Sequence, residues 1–140
     1  MSDSRSGHRS VPHTADVRVE AWAPTREGCI AEAVLGTVET FLDTSVVHPS
    51  NTYHCRLTAN SDEDLLVAVL DEVIYILDTI GEVPVDVELE PVDGDLNVRF
   101  ATLDAGTLPQ IGAVPKAVSL HELRLGTGPR GWSCSVTLDV

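Results

Sequence analysis

Positive charge and aromatic rings are both scarce in this chain. Nine Lys and Arg stand against 22 Asp and Glu, a net charge of -13 over 140 residues. Such a chain repels phosphate backbones, so direct strong nucleic-acid binding is not expected. With two each of Phe, Trp and Tyr, not interleaved with basic residues, the sequence displays no base-stacking platform. Cys29, Cys55 and Cys134 form no Cys-x-x-Cys pair, which excludes a structural zinc motif and a thioredoxin-like motif. Each lies in an apolar pattern and reads as a buried, unreactive thiol suited to a reducing cytosol. No apolar run is long enough to span a bilayer, and residues 1–10 are polar with no apolar stretch behind them. A cytoplasmic protein without membrane contact is the expectation.

Catalytic signatures are equally sparse. Gly126, Gly128 and Gly131 fall in a hairpin turn and do not open a helix, so they do not form a phosphate-cradling glycine loop. There is no Gly-x-Ser-x-Gly elbow, and "HEL" at 121–123 lacks the second histidine of a zinc protease.

What is present is a patterned chain, 43% hydrophobic, sufficient for one domain with a core. Residues 1–11 are poor in groups to bury and read as a disordered tail, leaving 12–140 as the domain. Val17, Val19 and Ala21 alternate with Arg18 and Glu20 as a strand. Thr25 caps a helix whose apolar face, Ile30, Ala33, Val34, Val38, Phe41 and Leu42, runs to about residue 43. Tyr53, Cys55 and Leu57 mark a second strand. Ser61 with Asp64 caps a second helix, carrying the rows 65-69-73-77 and 66-70-74 and stopping at Gly81. Val85, Val87 and Leu89 pair back through an Asp-Gly turn with Leu96, Val98 and Phe100. After a loop over 104–115 comes a second hairpin, "KAVSLHELRL", "GTGPRG", "WSCSVTLDV". The order predicts an α+β single domain, a mainly antiparallel sheet with two helices packed on it.

Most acids have structural roles. Asp62, Glu63 and Asp64 suit a helix start, Asp71, Glu72 and Asp78 a solvated face, and Asp93 and Asp95 a turn. His13 and Thr14, before the first strand, suit turn chemistry. Asp16 and Asp139 differ: one begins the first confident strand and the other ends the last. If those strands pair antiparallel, the carboxylates converge beside Val140. Crowded carboxylates repel unless a cation neutralises them or one is protonated. An all-oxygen cluster would favour Ca²⁺ or Mg²⁺ over zinc. Spacing alone leaves this open against two separate surface acids.

"HTAD" at 13–16, "DLLVAVLDEVIYILDT" at 64–79, "PKAVSLHEL" at 115–123 and the final "LDV" together resemble the archease family, in order over residues 13–140. The resemblance implies a protein cofactor, not an enzyme, that activates RtcB-type RNA ligases in tRNA splicing or RNA repair. Those ligases carry a GTP-derived guanylate on a histidine and use manganese; archease promotes guanylylation and multiple turnover. It further implies a divalent cation, typically calcium, held here by Asp16, Asp139 and oxygens of Val140, with His13 and His121 as supporting positions. The "KAV" lysine is a functional position in the family; here it is Lys116, the chain's only lysine. A compact ammonium and a planar guanidinium are not interchangeable. Pro12 stands where the family often has an acid, and Ser119-Leu120 replaces a common Thr-aromatic pair. Neither touches Asp16, Lys116 or Asp139.

Two other functions compete. One is a chaperone-like module for other RNA-modifying enzymes, such as a tRNA methyltransferase. The other is a small metal-dependent hydrolase with His13 as base beside an Asp16-bound metal, which lacks any nucleophile or oxyanion motif.

Overall fold

Two hydroxyls start the two helices. Thr25, in extended backbone, accepts the Gly28 amide at 3.0 Å and opens α1 (Arg26–Glu39). Ser61 accepts the Asp64 amide at 3.1 Å and opens α2 (Asp62–Ile80), whose first turn carries Asp62, Glu63 and Asp64. Gly81, left-handed at φ 70°, stops α2. The computed structural model describes residues 5–12 and 16–140.

Among these, the strands are β1 (Gly7–Pro12), β2 (Asp16–Ala23), β3 (Asn51–Leu57), β4 (Glu82–Val92), β5 (Asp95–Asp104), β6 (Ala117–Gly128) and β7 (Gly131–Asp139). They form two sheets, β1-β2-β7-β6 and β3-β5-β4, with every pairing antiparallel. The α+β class and the antiparallel pairing agree with expectation; the single sheet is corrected to two. Period-2 alternation fixes which face of a strand is buried, but not which strands share a sheet.

The helices join the two sheets. α1 packs on β2, β1 and β7 of the larger sheet and on β4 of the smaller; α2 contacts β6, β4 and β3. At Gly36 the approach is tight: a Cβ there would lie 2.9 Å from Val19 Cγ1 and 3.1 Å from His8 Cβ. Between them lies one core. Val19, Ala21, Val136 and Leu138 come from the larger sheet, Leu96, Val98 and Phe100 from the smaller, and Ile30, Val34, Leu66 and Leu70 from the helices. In α2 both expected rows are buried, except that Ile76 takes the enclosed place and Leu77 is half-buried.

The disordered tail is corrected. Residues 7–12 form β1, paired with β2 from Gly7↔Trp22 to Pro12↔Val17. His8 ties this strand to α1 by pairing with Glu32 and Glu39. An edge strand held by ladder hydrogen bonds and ion pairs leaves little apolar signal. Residues 1–4 lie outside the described residues.

α1 ends at Glu39 instead of residue 43. Phe41 and Leu42 remain buried past its end, where Ile111 N–H donates to Phe41 O at 2.9 Å and Leu42 bridges Gln110. The loop over 104–115 is thereby pinned to the end of α1. In the last hairpin, β6 and β7 run to Gly128 and Gly131, so the expected six-residue turn shrinks to Pro129 and Arg130.

Cys29 and Cys134 are buried, while Cys55 is half-buried. Hydrogen bonding with Cys134 and burial push the Cys29 thiol up; burial, then Glu72, raises Cys55 to about 12. Cys29 and Cys55 therefore stay protonated at neutral pH.

Candidate cation and partner site

Alternation along β2 sends Val19, Ala21 and Ala23 into the core and Asp16, Arg18, Glu20 and Trp22 to the face away from α1. The antiparallel register then sets Asp16 directly opposite Asp139 on β7, and Asp139 opposite Ala117 on β6. Side chains opposed in this way have Cβ atoms about 4.5–5.5 Å apart, close enough to share a ligand. Lys116, just before β6, donates its N–H to the Asp139 carbonyl at 2.7 Å, which fixes its backbone to the same corner. Its side chain is exposed, and Val140 is half-buried beside Asp139.

A groove of about 260 Å³ continues along this outer face, lined by Asp16, Arg18, Ser119, His121, Glu122 and Thr137. It owes its shape to a bulge. Ser119 faces Thr137 and Arg124 faces Ser135, so residues 120–123 stand opposite Val136 alone. Glu122 takes a left-handed φ of 57°, an unfavourable conformation for a residue with a Cβ. The excursion leaves Leu120 70% exposed. It also sets Glu122 Oε2 3.8 Å from Arg18, whose Nε is buried without a hydrogen-bond partner among the described residues. An unsatisfied buried donor costs free energy until an acceptor reaches it.

The sequence-derived site residues thus divide. Asp16, Asp139, Val140 and the Lys116 backbone come together. His121 lies at the groove but is highly exposed; its amide donates to Ser119 Oγ at 3.2 Å, and its ring is 3.6 Å from Glu122. His13 and Thr14 lie outside the described residues. Sequence reasoning missed Arg18, Glu122, Ser119 and Thr137. Arg18 could have been found from its parity with Asp16, two residues apart on one strand; the bulge carries no comparable signal.

Among the described residues, no three His, Cys, Asp or Glu side chains cluster to hold a metal. The donor set at the β2–β7 corner is two facing carboxylates with Val140 oxygens beside them, all hard. That chemistry fits Ca²⁺ or Mg²⁺ and not a thiophilic metal, with water filling the rest of a six- to eight-oxygen shell.

Comparison with known proteins extends over almost the whole chain. Residues 8–140 match the model of the Archease protein family (MTH1598/TM1083). A Mycobacterium tuberculosis (strain H37Rv) relative named "Probable protein archease" is 68% identical over 135 residues, covering 96% of this chain and 75% of that protein. "Protein archease" of Archaeoglobus fulgidus is 27% identical, covering 95% of this chain and 98% of that one. The solution structure of Methanobacterium thermoautotrophicum protein 1598 shares the fold with a TM-score of 0.75 at 22% identity, over 96% of this chain and 99% of its own. So does a Thermotoga maritima crystal structure described as an "archease, possible chaperone", with a TM-score of 0.68 at 19% identity over 93% and 94%. The family match and the 68% relative agree on one conclusion: this chain belongs to the archease family.

Proposed function

We propose that this protein is a cation-binding cofactor of an RtcB-type RNA ligase, promoting ligase guanylylation and multiple turnover in tRNA splicing or RNA repair. The observation that carries this is the register pair Asp16↔Asp139, which joins the two ends of the family-like motifs at one corner with Lys116. Asp16, Asp139 and Val140 oxygens would hold a divalent cation, calcium by donor chemistry. When bound, the cation supplies a fixed positive charge that neutralises the facing carboxylates and orders the ends of β2 and β7. Lys116 offers an exposed ammonium to the partner at the edge of that site. A net charge of -13 suits encounter with a basic RNA-handling enzyme.

On this reading the corner is a docking site for a partner. The groove beside it is lined by no thiol, and among the described residues neither hydroxyl, of Ser119 or Thr137, is hydrogen-bonded to a basic side chain. The chaperone-like alternative, serving another RNA-modifying enzyme, draws support from the words "possible chaperone" attached to the Thermotoga protein. Both are served by the same exposed face and differ in the partner.

Single-turnover guanylylation of the ligase from the same organism, with and without this protein, separates them. Stimulation by the wild-type chain, reduced by Asp16→Ala, Asp139→Ala and Lys116→Ala while circular dichroism reports intact folding, is the expected result. No stimulation by the wild-type chain, or full stimulation by all three variants, defeats the proposal.

A further inference from the structure

At the end of the larger sheet that carries the β6–β7 turn, the scarce residues of this sequence gather. A groove of about 920 Å³ is lined by Trp22, Trp132, Arg5, Arg124 and Arg130, with the β6–β7 turn as one wall. Both tryptophans and three of the eight arginines meet there, and among the described residues no carboxylate lines the groove, in a chain with 22 of them. The sequence hides this because Trp22 comes from β2 and Trp132 from β7; the pairs Trp22↔Ser133 and Ala23↔Trp132 put them at one end of the sheet, Trp22 on the outer face and Trp132 on the core side.

The arrangement is built. The Trp22 indole lies over Gly7, where a Cβ would meet its ring at 2.6 Å, so the backbone supports one part of the ring while 36% of the residue stays open. Arg124 is oriented by donating Nη1–H to Ser133 Oγ at 3.0 Å, which leaves donors of its five-donor fork unspent. Arg130, at the exposed turn, makes no side-chain hydrogen bond or ion pair among the described residues.

We infer that this groove binds a nucleotide, its base stacked on the Trp22 indole, which shares the outer face with Arg124 and Ser133, and its phosphate held by the arginine forks. The volume suits one small-molecule ligand. Planar guanidinium groups recognise phosphate in pairs of hydrogen bonds, and aromatic faces stack bases with little regard to sequence. The acidic remainder of the protein is screened beyond about 8–10 Å at physiological salt, so it opposes a long nucleic-acid track but not one nucleotide here. An acidic peptide would find the same charges but gain little from the open face of the Trp22 indole, which makes it the weaker candidate. This inference is independent of the cation corner and of the partner ligase.

The two tryptophans are the chain's only ones, so their fluorescence reports the groove directly. The full chain is titrated with AMP, a short single-stranded oligoadenylate, inorganic phosphate and a hexaglutamate peptide, with correction for absorbance. Saturable quenching by AMP or oligoadenylate is expected. Quenching by the strand at lower concentration identifies a strand as the source, and equal quenching a free nucleotide. Arg130→Glu, and Arg124→Glu with Arg130→Glu, should weaken it by about tenfold or more. The Arg130→Glu variant alone breaks no side-chain hydrogen bond or ion pair among the described residues and guards against misfolding. The inference is overturned by no saturable quenching up to about 10 mM ligand, by quenching that survives charge reversal, or by phosphate or hexaglutamate quenching as strongly as AMP.

Discussion

Asp16, the first residue of β2, and Asp139, the last of β7, face each other across the two strands. Everything proposed for the cation corner follows from that one pairing. Like charges set directly opposite on neighbouring strands destabilise a sheet by about 0.2–1 kcal/mol, so the pair is a liability in the apo protein. A divalent cation held between them would reverse the sign of their contribution.

Asp139→Asn should therefore have opposite effects with and without calcium. In chelator, urea denaturation should find the variant slightly more stable than wild type, by up to about 1 kcal/mol. With free Ca²⁺ at about 100 times its dissociation constant, wild type should gain about 2.7 kcal/mol and overtake the variant. Identical calcium responses in the two proteins would remove Asp139 from any cation site.

Leu70 tests the packing of α2. It is fully buried in the row 66-70-74, enclosed between the two sheets. Truncation to Ala should cost about 2–5 kcal/mol, and Leu70→Met, which conserves volume, less than about 1.5 kcal/mol. A truncation cost below about 1 kcal/mol would place this row at a surface.

Gly131 makes the tight β6–β7 turn possible. Its φ of 109° suits glycine, and a Cβ there would lie 2.9 Å from the Ala23 carbonyl oxygen. Gly131→Ala should destabilise the protein by about 1–3 kcal/mol, read by thermal or chemical denaturation. Gly126→Ala, where a Cβ meets nothing within 4 Å, is the control and should cost far less.

How far the sequence carries depends on what each element uses to hold itself. α2 was legible down to its cap because Ser61, two apolar rows and Gly81 all state the same local answer. The hairpin at Asp93-Gly94 was equally plain, both residues taking the left-handed backbone that the turn demands. β1 was not, because its hold on α1 is a histidine between two glutamates far away in sequence. The cation corner was half legible. Placing Asp16 beside Asp139 needed only that the first confident strand pair antiparallel with the last. The bulge over 120–123, which gives the groove its shape, is a tertiary accommodation without periodic signature. The Arg–Trp groove was invisible, since its two indoles come from distant strands.

His8 gives the last prediction, a pH dependence. Its Nδ1 lies 2.8 Å from Glu32 Oε1, and its Nε2 pairs with Glu39, both on α1. The Glu39 hydrogen bond, opposed by burial and reinforced by Glu32, lifts its pKa from 6.5 to about 9. Below 6.5 the imidazole is protonated in folded and unfolded chains alike, and the ion pairs contribute in full. As pH rises from 6.5 towards 9 the unfolded chain releases the proton that the folded one keeps, so the contribution fades. Above about 9 it is gone. Glu39 is 45% exposed and water screens it, so the contribution is roughly 1–2 kcal/mol, less than the shift alone would give. His8→Gln should therefore be less stable than wild type by roughly that amount near pH 6, with the gap closing near pH 10. Denaturation at both pH values measures it, and hydrogen exchange should show β1 opening first in the variant. A gap that stays constant across this range would mean that His8 holds β1 by packing against Gly36, not by charge.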